Sequence, residues 1–314
     1  METLLVIARF GQFSAAMLLL GSSLFRLGFV AGNVGAMRLD HAFGRWHRPI
    51  MITGAAVALA SSLVWLDIES GLMGGAWSDA VDLQTLGAVL FQTRFGHVWL
   101  WTLASAAALL LVAFLSSGGR STIVVAGLSA ILLASSAATG HAVMHTGIAG
   151  ATHLTAQIIH VLAASVWLGS LPALGFALRK GRLEGQPEWR NAVRSILPRY
   201  SRMGYVAVAF ILLTGCVNSW FMVDSVDALF ETTYGKILLA KISLVFVMVG
   251  VAIVNRFVLA PDVTRSPLKP FQPEASFRRL WRSVTVEQAL GLSIIGLVSL
   301  LGTVAPAMSG NMEM

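Results

Sequence analysis

The chain has 314 residues, of which 56% are hydrophobic and only 12% are charged. Soluble domains carry about 25% charged residues, so this composition excludes a soluble globular protein and predicts an integral membrane protein. The net charge of +7 does not indicate a nucleic-acid partner, because the basic residues fall in short clusters between apolar segments.

Eight segments are long and apolar enough to cross a bilayer, which requires roughly 20 mostly apolar residues. The sequence therefore predicts an all-α fold, a polytopic bundle of about eight transmembrane helices in a single transmembrane domain over residues 1–314. Residues 179–202 and 256–283 are expected to be longer, basic loops. In chain order, the predicted spans are residues 4–25, 50–70, 97–116, 121–140, 152–178, 203–222, 236–258 and 284–305.

The distribution of basic residues predicts the orientation of this bundle. Lysine and arginine concentrate after spans one, three, five and seven, and the positive-inside rule assigns those segments to the cytoplasm. With an even number of spans, both termini are expected to be periplasmic. The periplasmic part then includes a short tail at residues 307–314 that contains Met308, Met312 and Met314.

Four of the seven histidines lie in the stretch TGHAVMHTGIAGATHLTAQIIH, residues 139–160, which is otherwise mostly apolar. We expect a helical hairpin here, with its turn outside the membrane near Gly147 and Gly150. The rise of the helix places His145 and His153 near the outer surface and His141 and His160 one to two turns deeper. Each helix would present one polar face, the first with His141, Met144 and His145 and the second with His153, Gln157 and His160.

Ionisable side chains within spans usually mark a pathway or a binding site. Imidazole binds copper, zinc, iron and nickel, and an added thioether favours Cu(I). We therefore predict a metal site formed by His141, Met144, His145, His153 and His160. Asp67, Glu69, Met73 and His97 are expected to line its outer entry, although His97 also suits the interfacial aromatic belt. For a cytoplasmic exit, the candidates are His41 and His47.

Several further motifs accompany the histidines, and their order along the chain is informative. They are TGHA at 139–142, IIHVLAASVWLGSLPAL at 158–174, RYSRMG at 199–204, YGKILLAKISLV at 234–245, Asn255-Arg256 and Val286-Glu287. Together they resemble the copper resistance protein D family, over about residues 5–306. His141 and His160 match the histidines of that family most clearly.

This resemblance implies a multi-pass protein of the bacterial inner membrane that handles copper ions, either Cu(I) or Cu(II). It further implies copper uptake from the periplasm and a role in copper homeostasis or resistance. A small periplasmic copper carrier of the CopC type is the implied partner. The chain contains no CopC-like domain, so this partner would be a separate protein.

Two other functions stay open at this stage. Histidines on facing helices would also suit haem b, which would make the chain a cytochrome b-like electron-transfer subunit. In a scaffold protein, the same histidines would only form hydrogen bonds between helices. The sequence contains no phosphate-binding loop and no hydrolase or transferase constellation, so we do not expect an enzyme.

Overall fold

The computed structural model describes residues 1–31, 37–115, 119–140, 144–183, 187–264 and 273–307. Over these residues the secondary structure is helical, apart from turns and one isolated bridge between Val223 and Ala307. Eight helical segments in this part of the chain are long and apolar enough to cross a membrane, which confirms the predicted all-α, eight-span bundle. They are Glu2–Val30, Leu39–Gly74, Arg94–Leu115, Arg120–Ala137, Gly147–Leu183, Pro187–Met222, Thr233–Thr264 and Glu274–Leu301.

We number the helices of the described residues in chain order. Each predicted span coincides with one long helix, except that α6 and α7 together form the fifth span. The helices are α1 (Glu2–Phe25), α2 (Met37–Gly74), α3 (Leu83–Gln92), α4 (Arg94–Leu115), α5 (Gly119–Ala137), α6 (Gly147–Leu168), α7 (Leu171–Leu183), α8 (Pro187–Met222), α9 (Val226–Glu231), α10 (Thr233–Val254), α11 (Ala260–Thr264) and α12 (Pro273–Leu301).

The two basic segments predicted as loops are largely helical, so this part of the prediction is wrong. Helix α8 begins at Pro187, a residue that favours the first position of a helix, and runs without interruption into the sixth span. Its first turns bury Trp189 and Val193 in the core, and the guanidinium of Arg194 donates to the carbonyl of Val263 at 2.9 Å. The basic residues therefore lie on amphipathic helix extensions.

Two π-helical turns and one break interrupt the spans. The π turns are Arg26–Val30 after α1 and Asn255–Leu259 after α10. Between α6 and α7, Gly169 brings its backbone against α1. A Cβ atom built on Gly169 would overlap the carbonyl group of Met17, and one built on Gly21 would overlap the backbone of Gly169 and Ser170. Small residues at such crossings allow transmembrane helices to approach closely.

Because successive spans alternate in direction, the bundle has two distinct ends. The histidine end contains the start of α1, the segment between α5 and α6, and the end of α12. The basic end lies opposite and contains the starts of α2, α8 and α12 and the ends of α7 and α11. An apolar cluster around Trp65 and Trp99 joins α1, α2, α4 and α5, while a second, around Phe43 and Phe277, packs the basic end.

Candidate metal centre

Two histidines meet at the histidine end of the bundle. His145 directly precedes α6, which begins at Gly147 with the positive φ of +65° that glycine tolerates. His153 lies in the second turn of α6, and the Nδ1 atoms of the two rings are 3.4 Å apart. Metal–nitrogen bonds of about 2.0–2.1 Å would span this gap with an N–metal–N angle of about 110°. The pair is thus spaced to ligate one ion together.

An aromatic ring from α8 holds both imidazoles in place. Phe221 stacks on His153, with ring centroids 4.8 Å apart and an interplanar angle of 14°. The same ring contacts His145 at 5.1 Å. Met144 precedes His145 in the chain and its side chain is exposed, while His153 is buried. One histidine of the candidate pair, His153, is therefore fixed in the protein interior, while Met144 beside the pair is exposed at the protein surface.

The predicted helical hairpin is wrong in its first half. Helix α5 ends at Ala137, where the hydroxyl of Thr139 donates back to the carbonyl of Ser136 at 2.9 Å and closes the last turn. Met144 and His145 lie in a bend outside any helix, so they are not part of the helical face that was predicted for them together with His141. His141 lies outside the described residues, as do Met308, Met312 and Met314 of the tail.

Farther along α6, His160 has a defined hydrogen-bond partner on α8. Its Nδ1 lies 3.0 Å from Oγ1 of Thr214, and that hydroxyl donates its own proton to the carbonyl of Phe210 at 2.5 Å. The hydroxyl can then only accept from His160, so Nδ1 carries the ring proton and Nε2 keeps its lone pair. A metal-binding histidine usually has its second nitrogen fixed in this way.

His153, Gln157 and His160 line one cavity, which agrees with their predicted common face on α6. The cavity has a volume of about 140 Å³ and lies among α1, α6, α8, α10, α12 and the end of α5. It shares the wall formed by Gln157 and His160 with a larger, mostly apolar cavity of about 360 Å³. Asn218 donates to Gln157 across this wall at 2.7 Å. The deep histidine therefore faces an open interior space.

Two basic side chains, Arg9 and Lys241, line the same space. The guanidinium of Arg9 lies 4.5 Å from the ring centroid of Trp65 and packs against Gly302, where a Cβ atom would overlap it. Within the described part of the chain, neither basic group makes an ion pair within 4.0 Å. Neither was among the predicted site residues, although a charge inside an apolar span is itself a signal of function.

Two of the four residues of the predicted entry have hydrogen-bond partners other than the histidine pair. The indole nitrogen of Trp65 donates to Glu69 at 3.2 Å, and Nε2 of His97 lies 3.0 Å from the carbonyl of Phe91. Asp67 is half-buried and Met73 is exposed on α2. Among the described residues, no three His, Cys, Asp or Glu side chains form a group that would hold a metal ion. The role of these residues stays a prediction.

The two exit candidates on α2 differ in their surroundings. His41 is exposed, whereas His47 is fully buried. The ring of His47 lies 3.0 Å from the hydroxyl of Ser22 and stacks on Phe43 at 5.5 Å. His47 is therefore a packed core residue that ties α2 to α1, and not the solvated loop residue that the basic sequence around it suggested.

Comparison with known proteins decides the family. Residues 1–151 match the family model described as copper resistance protein D-like, N-terminal domain, and residues 194–301 match copper resistance protein D. The chain is 33% identical to copper resistance protein D of Pseudomonas syringae pv. tomato over 316 residues, which cover 99% of both chains. It belongs to the copper resistance protein D family.

Two further relatives fit this assignment. Inner membrane protein YebZ of Escherichia coli (strain K12) is 30% identical over 84% of this chain and 91% of its own length. Copper transport protein CutJ of Bacillus subtilis (strain 168) is 28% identical over 78% of this chain, but the match covers only 43% of CutJ. With its eight apolar spans, the chain is a multi-pass inner-membrane protein with a copper-related role.

Proposed function

We propose that this protein takes up copper from the periplasm and receives the ion at His145 and His153. The observation that carries the proposal is the 3.4 Å separation of their Nδ1 atoms at the histidine end of the bundle. Two imidazoles at this spacing can supply two of the ligands of a Cu(I) or Cu(II) site. Met144 beside them is exposed and supplies a soft thioether that can move to the ion.

The proposal places the histidine end in the periplasm and the basic end in the cytoplasm, as the charge distribution predicts. A periplasmic copper carrier of the CopC type would then dock near Met144 and pass its ion to the histidine pair. The protein acts here as a transporter and not as an enzyme. Alkaline phosphatase fused to the C-terminus tests the orientation, because that enzyme is active only in the periplasm.

The deep cavity suits a bare copper ion less well than the outer pair does. A Cu(I) ion about 4 Å from a single positive charge is repelled by about 4 kcal/mol at an effective dielectric constant of about 20. Among the described residues neither Arg9 nor Lys241, which both face this cavity, makes an ion pair within 4.0 Å, and only the more distant carboxylate of Glu69 opposes the charge of Arg9. Copper that reaches His160 is therefore expected to arrive with an anionic ligand.

The same charges support a second candidate function, the binding of haem b in an electron-transfer subunit. The free Nε2 of His160 is the atom that ligates haem iron, and Arg9 and Lys241 would pair with the propionates. The ring of His160 lies against Gly215, where a Cβ atom would be 3.4 Å from Cε1, so the glycine leaves room beside it. Haem binding at His160 would not use the close pair of His145 and His153.

One preparation distinguishes the two candidates. The protein is purified in lipid nanodiscs, supplied with Cu(I) against a chromophoric copper chelator, and measured for metal content and visible absorption. Copper uptake predicts about one tightly bound copper, lost in the His145→Ala/His153→Ala variant and kept in the His41→Ala control, with no Soret band. A Soret band with stoichiometric iron that survives the double substitution and disappears in His160→Ala would overturn it in favour of haem.

A further inference from the structure

A separate cavity of about 140 Å³ lies toward the basic end of the bundle, among α6, α8, α10 and α12. The buried ring of Trp167 forms part of its wall and also part of the wall of the larger cavity that contains His160. The two spaces are therefore arranged in series along the bundle, with Trp167 between them.

Motifs that the copper site does not use converge on this second cavity. Tyr200 and Ser201 come from RYSRMG on α8, Asn255 and Arg256 from the π turn after α10, and Glu287 from α12. These segments are far apart in the sequence and meet only in the folded bundle. Their polar groups donate or accept through oxygen and nitrogen, and the described residues of the lining include no histidine, cysteine or methionine. Such a lining is poorly suited to Cu(I), which prefers sulfur and imidazole.

At the base of the cavity, Glu287 is only 4% exposed, and the described residues provide no ion pair to it within 4.0 Å. The amide of Asn255 faces this carboxyl and is 92% buried, yet neither of its polar atoms completes a hydrogen bond of normal geometry in the described chain. The hydroxyl of Tyr200 lies 3.1 Å from that of Ser170. Tyr200, Tyr205 and Arg256 are the other titratable groups that face the cavity, since α6, α7 and α11 add only neutral side chains.

We propose that Glu287 is the proton-carrying group of a path through this membrane domain. A buried carboxyl that makes no ion pair is stable when it carries a proton, and the unfilled hydrogen bonds of Asn255 can stabilise the charged form when the proton leaves. Resting on the proposed copper uptake, we further infer that proton movement at Glu287 is coupled to movement of the cargo on the other side of Trp167.

Infrared difference spectroscopy tests proton carriage without any copper. The protein in nanodiscs is titrated with pH in H₂O and in D₂O, and the C=O stretch of protonated carboxyl groups is recorded. We expect a band that shifts in D₂O, changes with pH, is lost in Glu287→Gln and persists in Glu274→Gln, which removes an exposed carboxyl of the same helix. An unchanged band in Glu287→Gln would overturn the proposal, and so would a band whose intensity does not depend on pH.

Proteoliposomes test the coupling. The wild-type protein is reconstituted with a pH-sensitive dye inside, and copper entry is measured with and without a pH gradient. Coupled transport predicts dye changes that require copper and that fall at least tenfold in Glu287→Gln but not in Glu274→Gln. Copper entry at the same rate with and without the pH gradient would refute coupling and leave the proposed function intact. A response to Na⁺ in place of H⁺ would overturn the assignment of the proton.

Discussion

Replacement of Gly169 by alanine should separate α1 from the break between α6 and α7. A Cβ atom at this position would lie 2.6 Å from the carbonyl carbon of Met17, and ordinary contacts begin at 3.4 Å. The carbonyl oxygen of Met17 would lie closer still, and because the obstacle is backbone and not a flexible side chain, the two helices must part by more than an ångström. Overpacking of this kind costs about 1–3 kcal/mol, and we expect the upper end of that range.

The assay is the unfolding midpoint of the detergent-solubilised protein, followed by the fluorescence of its nine tryptophans. A loss of about 3 kcal/mol lowers the midpoint by roughly 5 °C in a chain of 314 residues, because the entropy of unfolding is about 2.1 cal/mol/K per residue. Gly296→Ala is the matched control on α12, since nothing lies within 4 Å of its new methyl group. Alanine should stabilise that helix slightly. Equal midpoints for the two variants would refute the close crossing of α1 at Gly169.

Three further predictions concern the polar interior. Thr214→Val removes the acceptor of the His160 Nδ1 proton and should weaken metal binding at that ring by roughly 10–100-fold, whereas Thr214→Ser keeps it, as a metal-affinity titration will show. Lys241→Met removes a positive charge from the deep cavity and should raise the affinity of the protein for a second Cu(I) ion. An unchanged affinity in the same titration would argue against charge repulsion in this cavity. Trp167→Ala joins the two cavities and should increase proton leakage into dye-loaded proteoliposomes, but not when Glu287 is also changed to glutamine.

The candidate copper site was only partly predictable from the sequence. The common face of His153, Gln157 and His160 followed from helical spacing and is seen in the structure. The position of His145 did not follow, because the end of α5 at Ala137 depends on a local turn that apolar composition does not reveal. The pairing of His145 with His153 was still expected, since both lie close to the same connection.

Other contacts and cavity-lining groups were missed because the residues that meet are distant in the chain. His160 meets Thr214 across a separation of 54 residues. Arg9 near the N-terminus packs on Gly302 near the end of α12, and Lys241 joins it in the same cavity. No periodicity within one span indicates which other span will face it. The one available signal was the presence of a charge in an apolar segment.

The sequence by itself determined the class, the number of spans and the family of this protein. These follow from local properties, because hydrocarbon offers no water to the backbone and each apolar segment of about 20 residues must therefore close its hydrogen bonds as a helix. Only the tertiary structure decided which polar side chains meet. Inside the bilayer, the packing of small residues and the contacts between helices determine which spans are neighbours. This arrangement of the helices places His145 beside His153 and Glu287 opposite Asn255.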